Sequence, residues 1–151
     1  YMEKGQTPYT PAVSLLYGLQ ITLRMIREEG LPECFARHAR LGAAVRAGAQ
    51  ALGLRLLADP RYASPAVTSI YAPEGIDPKQ LRQVVRERYG VVLAGGQGKL
   101  ADRIFRIGHL GYVGENDIIA VMSALERGLV DLGVQITPGA GIAANQEALS
   151  A

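Results

Sequence analysis

Between Gly95 and Gly133 the chain reads GGQGKLADRIFRIGHLGYVGENDIIAVMSALERGLVDLG, and its hydrophobic period changes once, from two residues to about 3.6. A strand followed by a helix is the arrangement that satisfies both. Over residues 103 to 107, Phe105 and Ile107 fall on one face of the strand, Ile104 and Arg106 on the other. That alternation lifts Arg106 off the core face. Ile118, Val121, Met122, Leu125, Leu129 and Leu132 then recur at helical spacing, with Glu115 and Asp117 in the positive first turn and Gly133 placed to stop the helix. Gly108 and Gly111 bracket His109 and Leu110, so the connection turns sharply. Ahead of the strand, Gly95, Gly96, Gly98 and Lys99 predict a flexible lead-in.

The preceding residues supply further elements. Residues 1–11, YMEKGQTPYTP, hold glycine, two prolines and two threonines, and read as an extended loop that displays hydroxyls. A helix is predicted from about Ala12 to Glu29, striped by Leu15, Leu16, Leu19, Leu23 and Ile26 and ended by Gly30. A second starts near Pro32 and keeps Cys34, Phe35, His38, Leu41, Val45 and Leu52 on one face until Gly53. Gly42 and Gly48 lower its helix propensity by about 1 kcal/mol each relative to alanine, which points to close helix approach. Strands are expected at Leu54–Ala58, Ala66–Ala72 and Val91–Leu93, and a helix capped by Asp77-Pro78 runs to Tyr89. This order lacks the regular strand-helix alternation of a doubly wound sheet, so the predicted class is α+β. Residues 1–133 form one domain, with residues 134–151 as a tail or weak terminal helix.

Composition narrows the function. Apolar residues make up 48% and charged residues 20%, with no run long enough to cross a bilayer, so a globular, soluble, non-membrane protein is expected. Cys34 is the only cysteine, which excludes a disulfide framework and fits a cytoplasmic location. Net charge is only +2 and the arginines are scattered, so nucleic acid is not expected as a partner. Tyr1 precedes Met2, which reads as the start of a piece cut from a longer protein.

The individual candidates are few. The glycine loop is no Walker loop, because Leu100 follows the lysine and Leu93 stands where the first glycine belongs. His38, His109 and Cys34 read as structural, and nothing at ligand spacing suggests a metal. Arg106 has two readings from the residues alone: a solvated arginine on a half-covered sheet, or a planar fork gripping a carboxylate.

Two segments, PYTPAVSLLYGLQ and GGQGKLADRIFRIGHLGYVGENDIIAVMSALERGL, resemble the class V pyridoxal-phosphate aminotransferases, in the alanine-glyoxylate and serine-glyoxylate branch. The resemblance runs from Thr7 to about Leu132. Some members of that branch carry the label of a soluble hydrogenase subunit, which the residues here, with no metal ligands, do not support. The resemblance implies the small carboxy-terminal domain of a fold-type-I enzyme: an antiparallel sheet of three to four strands covered on one face by helices. It further implies a homodimeric parent acting on small amino acids and 2-oxo acids, with pyridoxal 5'-phosphate as cofactor. Arg106 of RIGHLG matches the position that binds the substrate α-carboxylate. Gln6 and Thr7 match the loop that reaches the cofactor phosphate of the other subunit, with Thr10 as the alternative. The family's Schiff-base lysine has no match among Lys4, Lys79 and Lys99, so no catalytic residue is expected here and residues 1–151 alone are expected to be inactive. The competing reading is a free-standing α+β module for ligand binding or protein interaction.

Overall fold

The computed structural model describes residues 2–150, which divide into two compact units with the boundary between Ala36 and Arg37. In the first, a 3-10 turn at Met2–Lys4 and a loop lead to helix α1, Val13–Glu29. The apolar residues of α1 are exposed, Leu15 by 73%, Leu16 by 57% and Leu23 by 51%, so the stripe that makes this helix amphipathic lacks cover. Gly30, at φ +91°, ends it as its amide bonds to the Ile26 carbonyl. Helix α2, Leu31–Ala51, then begins.

The second unit holds residues 37–51 of α2, strand β1 (Val67–Tyr71), α3 (Pro78–Tyr89), β2 (Ala94–Gly95), β3 (Ile104–Gly108), α4 (Glu115–Asp131) and α5 (Ala140–Ser150). The sheet is antiparallel in the order β1-β3-β2, so β3 is paired along both edges. Register sets Thr68 opposite Ile107 and Ile70 opposite Phe105, and all four are buried. That face meets the helices. The core it forms contains Leu41 and Val45 of α2, Leu81 and Val85 of α3, and Ile118, Met122, Leu125 and Leu129 of α4.

Local chemistry sets the helix ends. The Asp77 carboxylate accepts from the Lys79 amide at 2.8 Å, Pro78 fills the first turn, and Gly90 closes α3 in the left-handed region. At the start of α4 the Asp117 carboxylate accepts from the Gly114 amide at 2.8 Å.

Three expectations change. Val91–Leu93 is not a strand, because the Val91 amide still bonds to the Val85 carbonyl of the preceding helix and pairing with β3 starts only at Ala94. Leu54–Ala58 supplies a single bridge, Leu56 to Ile70, extended by bonds from Leu57 to Ser69 and from Tyr71 to Arg55. The glycine-rich lead-in is no loose segment: successive backbone bonds from Leu100 to Gln97, Ala101 to Gly98 and Arg103 to Leu100 wind it into a tight turn.

In the region read as a tail or weak helix lies α5, with Leu149 and Asn145 buried. Its first turn is held by Glu126 of α4, 6% exposed, whose carboxylate accepts from the amides of Gly139 and Ile142, both at 2.9 Å. Close packing depends on missing side chains. A Cβ on Gly48 would stand 2.7 Å from the Met122 terminal methyl and 2.9 Å from the Gly141 carbonyl oxygen, whereas one on Gly18 of α1 would meet nothing within 4 Å. Gly48→Ala is therefore expected to destabilise the chain by about 1 kcal/mol, overpacking of about 1 to 3 kcal/mol outweighing the propensity gain. Gly18→Ala, with the same propensity gain and no clash, is expected not to destabilise it. Urea unfolding of the two variants checks the pair; equal effects would refute the packing argument.

Candidate functional site

The sheet face turned away from the core carries Val67, Ser69 and Tyr71 from β1, Ile104 and Arg106 from β3, and Ala94 from β2. Arg106 lies between Ser69 and Ala94 and is half-buried. Its Nε donates to the Gly95 carbonyl at 2.8 Å. Among the described residues no carboxylate stands within ion-pairing distance of its guanidinium, and no hydrogen bond engages its two terminal nitrogens. A planar cation held by one nitrogen with its outer edge unengaged is suited to a carboxylate, which can take two parallel N–H donors.

Ile104 shares that outer face yet is only 3% exposed. The glycine turn covers it: a Cβ on Gly96 would lie 2.9 Å from Ile104 Cγ1 and 2.0 Å from the Leu100 carbonyl oxygen. One flank of Arg106 is therefore walled by residues 95–100.

Beyond β3 the chain is pinned at several points. His109 is fully buried; its Nδ1 donates to the Pro65 carbonyl at 2.8 Å, since that oxygen can only accept, which leaves Nε2 to accept from the Thr68 hydroxyl at 3.0 Å. Its own amide bonds to the Ala66 carbonyl at 3.0 Å. Gly42 of α2 allows the imidazole to approach, a Cβ there coming within 2.9 Å of Cε1. Arg37 Nη1 donates to the carbonyls of Gly111 and Val113, both at 3.0 Å, and the Gly111 amide donates to His38 Nε2 at 3.0 Å. Arg40 pairs with Glu115 at 2.9 Å. One face of α2 thus clamps the turn from β3 to α4, while Leu110 and Tyr112 stay 67% and 90% exposed.

Gln6, Thr7 and Thr10, in the first unit, are exposed. The Thr7 hydroxyl donates to the Tyr9 carbonyl at 2.5 Å, so it would have to turn before donating to a phosphate, whereas the Gln6 side chain is an exposed neutral donor. To that extent the loop fits an anionic group. The three lysines, Lys4, Lys79 and Lys99, are all exposed, unlike an amine desolvated for covalent chemistry. Among the described residues no group of three or more His, Cys, Asp or Glu is placed to hold a metal ion, and no helix is long and apolar enough to cross a membrane. Sequence reasoning isolated Arg106 but read Gly95, which holds it, and Gly96 as part of a flexible lead-in, and it did not single out Arg37. The glycine pair beside a short strand was the available signal.

No family model matches the sequence. Individual proteins do. The chain is 48% identical over 148 residues to a protein of Synechococcus sp. called the small subunit of a soluble hydrogenase, covering 97% of this chain and 38% of that one. It is 42% identical over 141 residues to the serine–glyoxylate aminotransferase of Methylorubrum extorquens, covering 93% and 35%. Among solved structures, pyridoxamine-pyruvate aminotransferase from Mesorhizobium loti superposes with a TM-score of 0.91 at 37% identity over 96% of this chain and 38% of that one. The chain thus spans little more than a third of the length of the relatives it matches.

The buried imidazole makes a demand on pH. Burial holds the His109 pKa below its ordinary 6.5, the charges of Arg46 and His38 push the same way, and the bond to Pro65 opposes them. Below about pH 6.5 the unfolded chain therefore binds a proton that the native chain refuses, so this contribution to stability is complete above that pH and declines as pH falls. The expected slope approaches, at most, about 1.4 kcal/mol per pH unit. Urea unfolding at pH 5 to 8 should show it in the natural chain and show it flattened in His109→Gln; parallel profiles would refute the assignment.

Proposed function

We propose that this chain, which matches the carboxy-terminal portions of aminotransferases, is the substrate-binding part of a class V pyridoxal-phosphate-dependent transaminase. The amino group passes from alanine or serine to glyoxylate or a similar 2-oxo acid. Arg106 binds the substrate α-carboxylate. One observation carries this: the guanidinium sits on the outer sheet face, tied by Nε alone, with its terminal nitrogens unengaged by protein among the described residues. Gln6 and Thr7, or Thr10 in place of one of them, contact the cofactor phosphate of the second subunit in a homodimer. When bound, the cofactor supplies the electron sink for transamination. The lysine that holds it comes from the part of the enzyme outside this chain, so residues 1–151 alone are inactive. The exposed leucines of α1 support a larger assembly, since such a stripe is stabilised by apolar cover. The enzyme works in the cytoplasm.

Arg106→Ala in the complete enzyme should cost about 2 to 5 kcal/mol of transition-state binding, because the substrate carboxylate loses its partner. Arg106→Lys should recover only part of that, keeping charge but not the planar pair of donors. Cofactor absorbance should be unchanged in both. Steady-state transamination of alanine and serine with glyoxylate is the measurement; activity within a few fold of the natural enzyme in Arg106→Ala would overturn the assignment.

A further inference from the structure

We propose that the turn of residues 95–100 is a positioning device for Arg106, and that Gly96 is the residue on which it depends. The inference rests on the reading of Arg106 as the carboxylate anchor and adds how that anchor is aimed.

A guanidinium can receive a carboxylate on its outer edge, through both terminal nitrogens, or on a side edge, through Nε and one of them. Here the Gly95 carbonyl takes Nε at 2.8 Å. That edge is closed, and the outer one remains. The carbonyl therefore sets both the rotation of the plane and the direction from which a carboxylate docks.

Its own position is fixed by the turn. Gly95 pairs with Phe105, and the Gly96 amide bonds to the Ile104 carbonyl at 3.2 Å. On the helix side, the Arg82 guanidinium of α3 lies over Gly95, 2.9 to 3.2 Å from where a Cβ would stand. On the outer side, Gly96 fits under the Leu100 carbonyl with no room for a side chain. The two glycines differ in what surrounds them. A methyl on Gly95 meets only the end of a flexible side chain, which can swing aside. A methyl on Gly96 would stand 2.0 Å from a backbone oxygen, so the backbone itself must retreat and carry the adjoining Gly95 carbonyl with it.

The test is steady-state kinetics of the complete enzyme with alanine as donor, on Gly96→Ala, Arg106→Ala and the Gly96→Ala/Arg106→Ala double variant. Misplacing a binding group by about 1 Å costs up to about 100-fold. Gly96→Ala is expected to lower kcat/KM by about tenfold or more, mainly through KM, with cofactor absorbance retained. Because Gly96 acts through Arg106, the double variant should be no worse than Arg106→Ala alone. Near-natural activity in Arg106→Ala sinks the anchor reading itself. A collapsed Arg106→Ala combined with an additive Gly96→Ala, or with an unchanged KM in Gly96→Ala, leaves the anchor standing and overturns the positioning role. If Gly96→Ala does not fold, Leu100→Gly decides, since it loosens the peptide whose carbonyl covers Gly96: a KM rise of about threefold or more that vanishes in the Arg106→Ala background supports the proposal, and an unchanged KM rejects it.

Discussion

The structure depends on β3 being the middle strand of a three-stranded sheet that has helices on one face. Its backbone is bonded on one edge to β1 over five residue pairs and on the other to β2 over two. A strand so held cannot slip by one residue, because a slip would turn Phe105 and Ile107 out of the core and Arg106 into it. Burying an unpaired guanidinium there would cost several kcal/mol. The same parity that fills the core thus fixes the side on which Arg106 must emerge, so the location of this guanidinium follows from hydrophobic packing.

Glycines do two kinds of work here, and composition does not separate them. Gly90 and Gly133 adopt positive φ and end helices, which is conformational freedom. Gly42, Gly48, Gly96, Gly128 and Gly141 make room for something else: an imidazole, a methionine methyl, a carbonyl, a valine methyl or a leucine. This second set is what lets α2, α4 and α5 approach one another and lets the turn before β3 fold over Ile104. Where a glycine is required by crowding rather than by φ, the segment is closely packed against its neighbours, and a glycine-rich run there reads in the opposite sense from a linker.

How much was legible in the sequence follows from the range of each interaction. The helices α1, α2, α3 and α4 were readable because their stripes, caps and stops are local: Asp77-Pro78 and Gly90 bound α3 within a residue of expectation. The face on which Arg106 stands was readable from strand alternation. Its bond to Gly95 was not, since eleven residues separate the pair and register alone brings them together. Val91–Leu93 has strand-forming side chains, but the helix behind it retains the Val91 amide, a hydrogen bond that propensity cannot foresee. Glu126 was the missed signal for α5. A carboxylate in the buried stripe between Met122 and Leu129 requires donors, and the amides opening the next helix are the nearest ones able to supply them.

The turn after β3 shows how rigidity and exposure are combined. Leu110 and Tyr112 project into solvent, yet the backbone around them is fixed by Arg37, His38 and the buried ring of His109. Holding a surface turn this way uses the fixed fork of an arginine and two imidazoles rather than apolar burial. Arg106, half-buried on the outer sheet face, has five N–H donors and one protein acceptor. In water the remaining donors are hydrated at little cost. Once a second surface covers the face, an unpaired guanidinium becomes expensive, and a planar anion on its outer edge removes most of that expense. An arginine arranged in this way favours a carboxylate more strongly the more completely the face is covered, so on the proposed reading of Arg106 cover over the sheet and binding of the carboxylate strengthen one another.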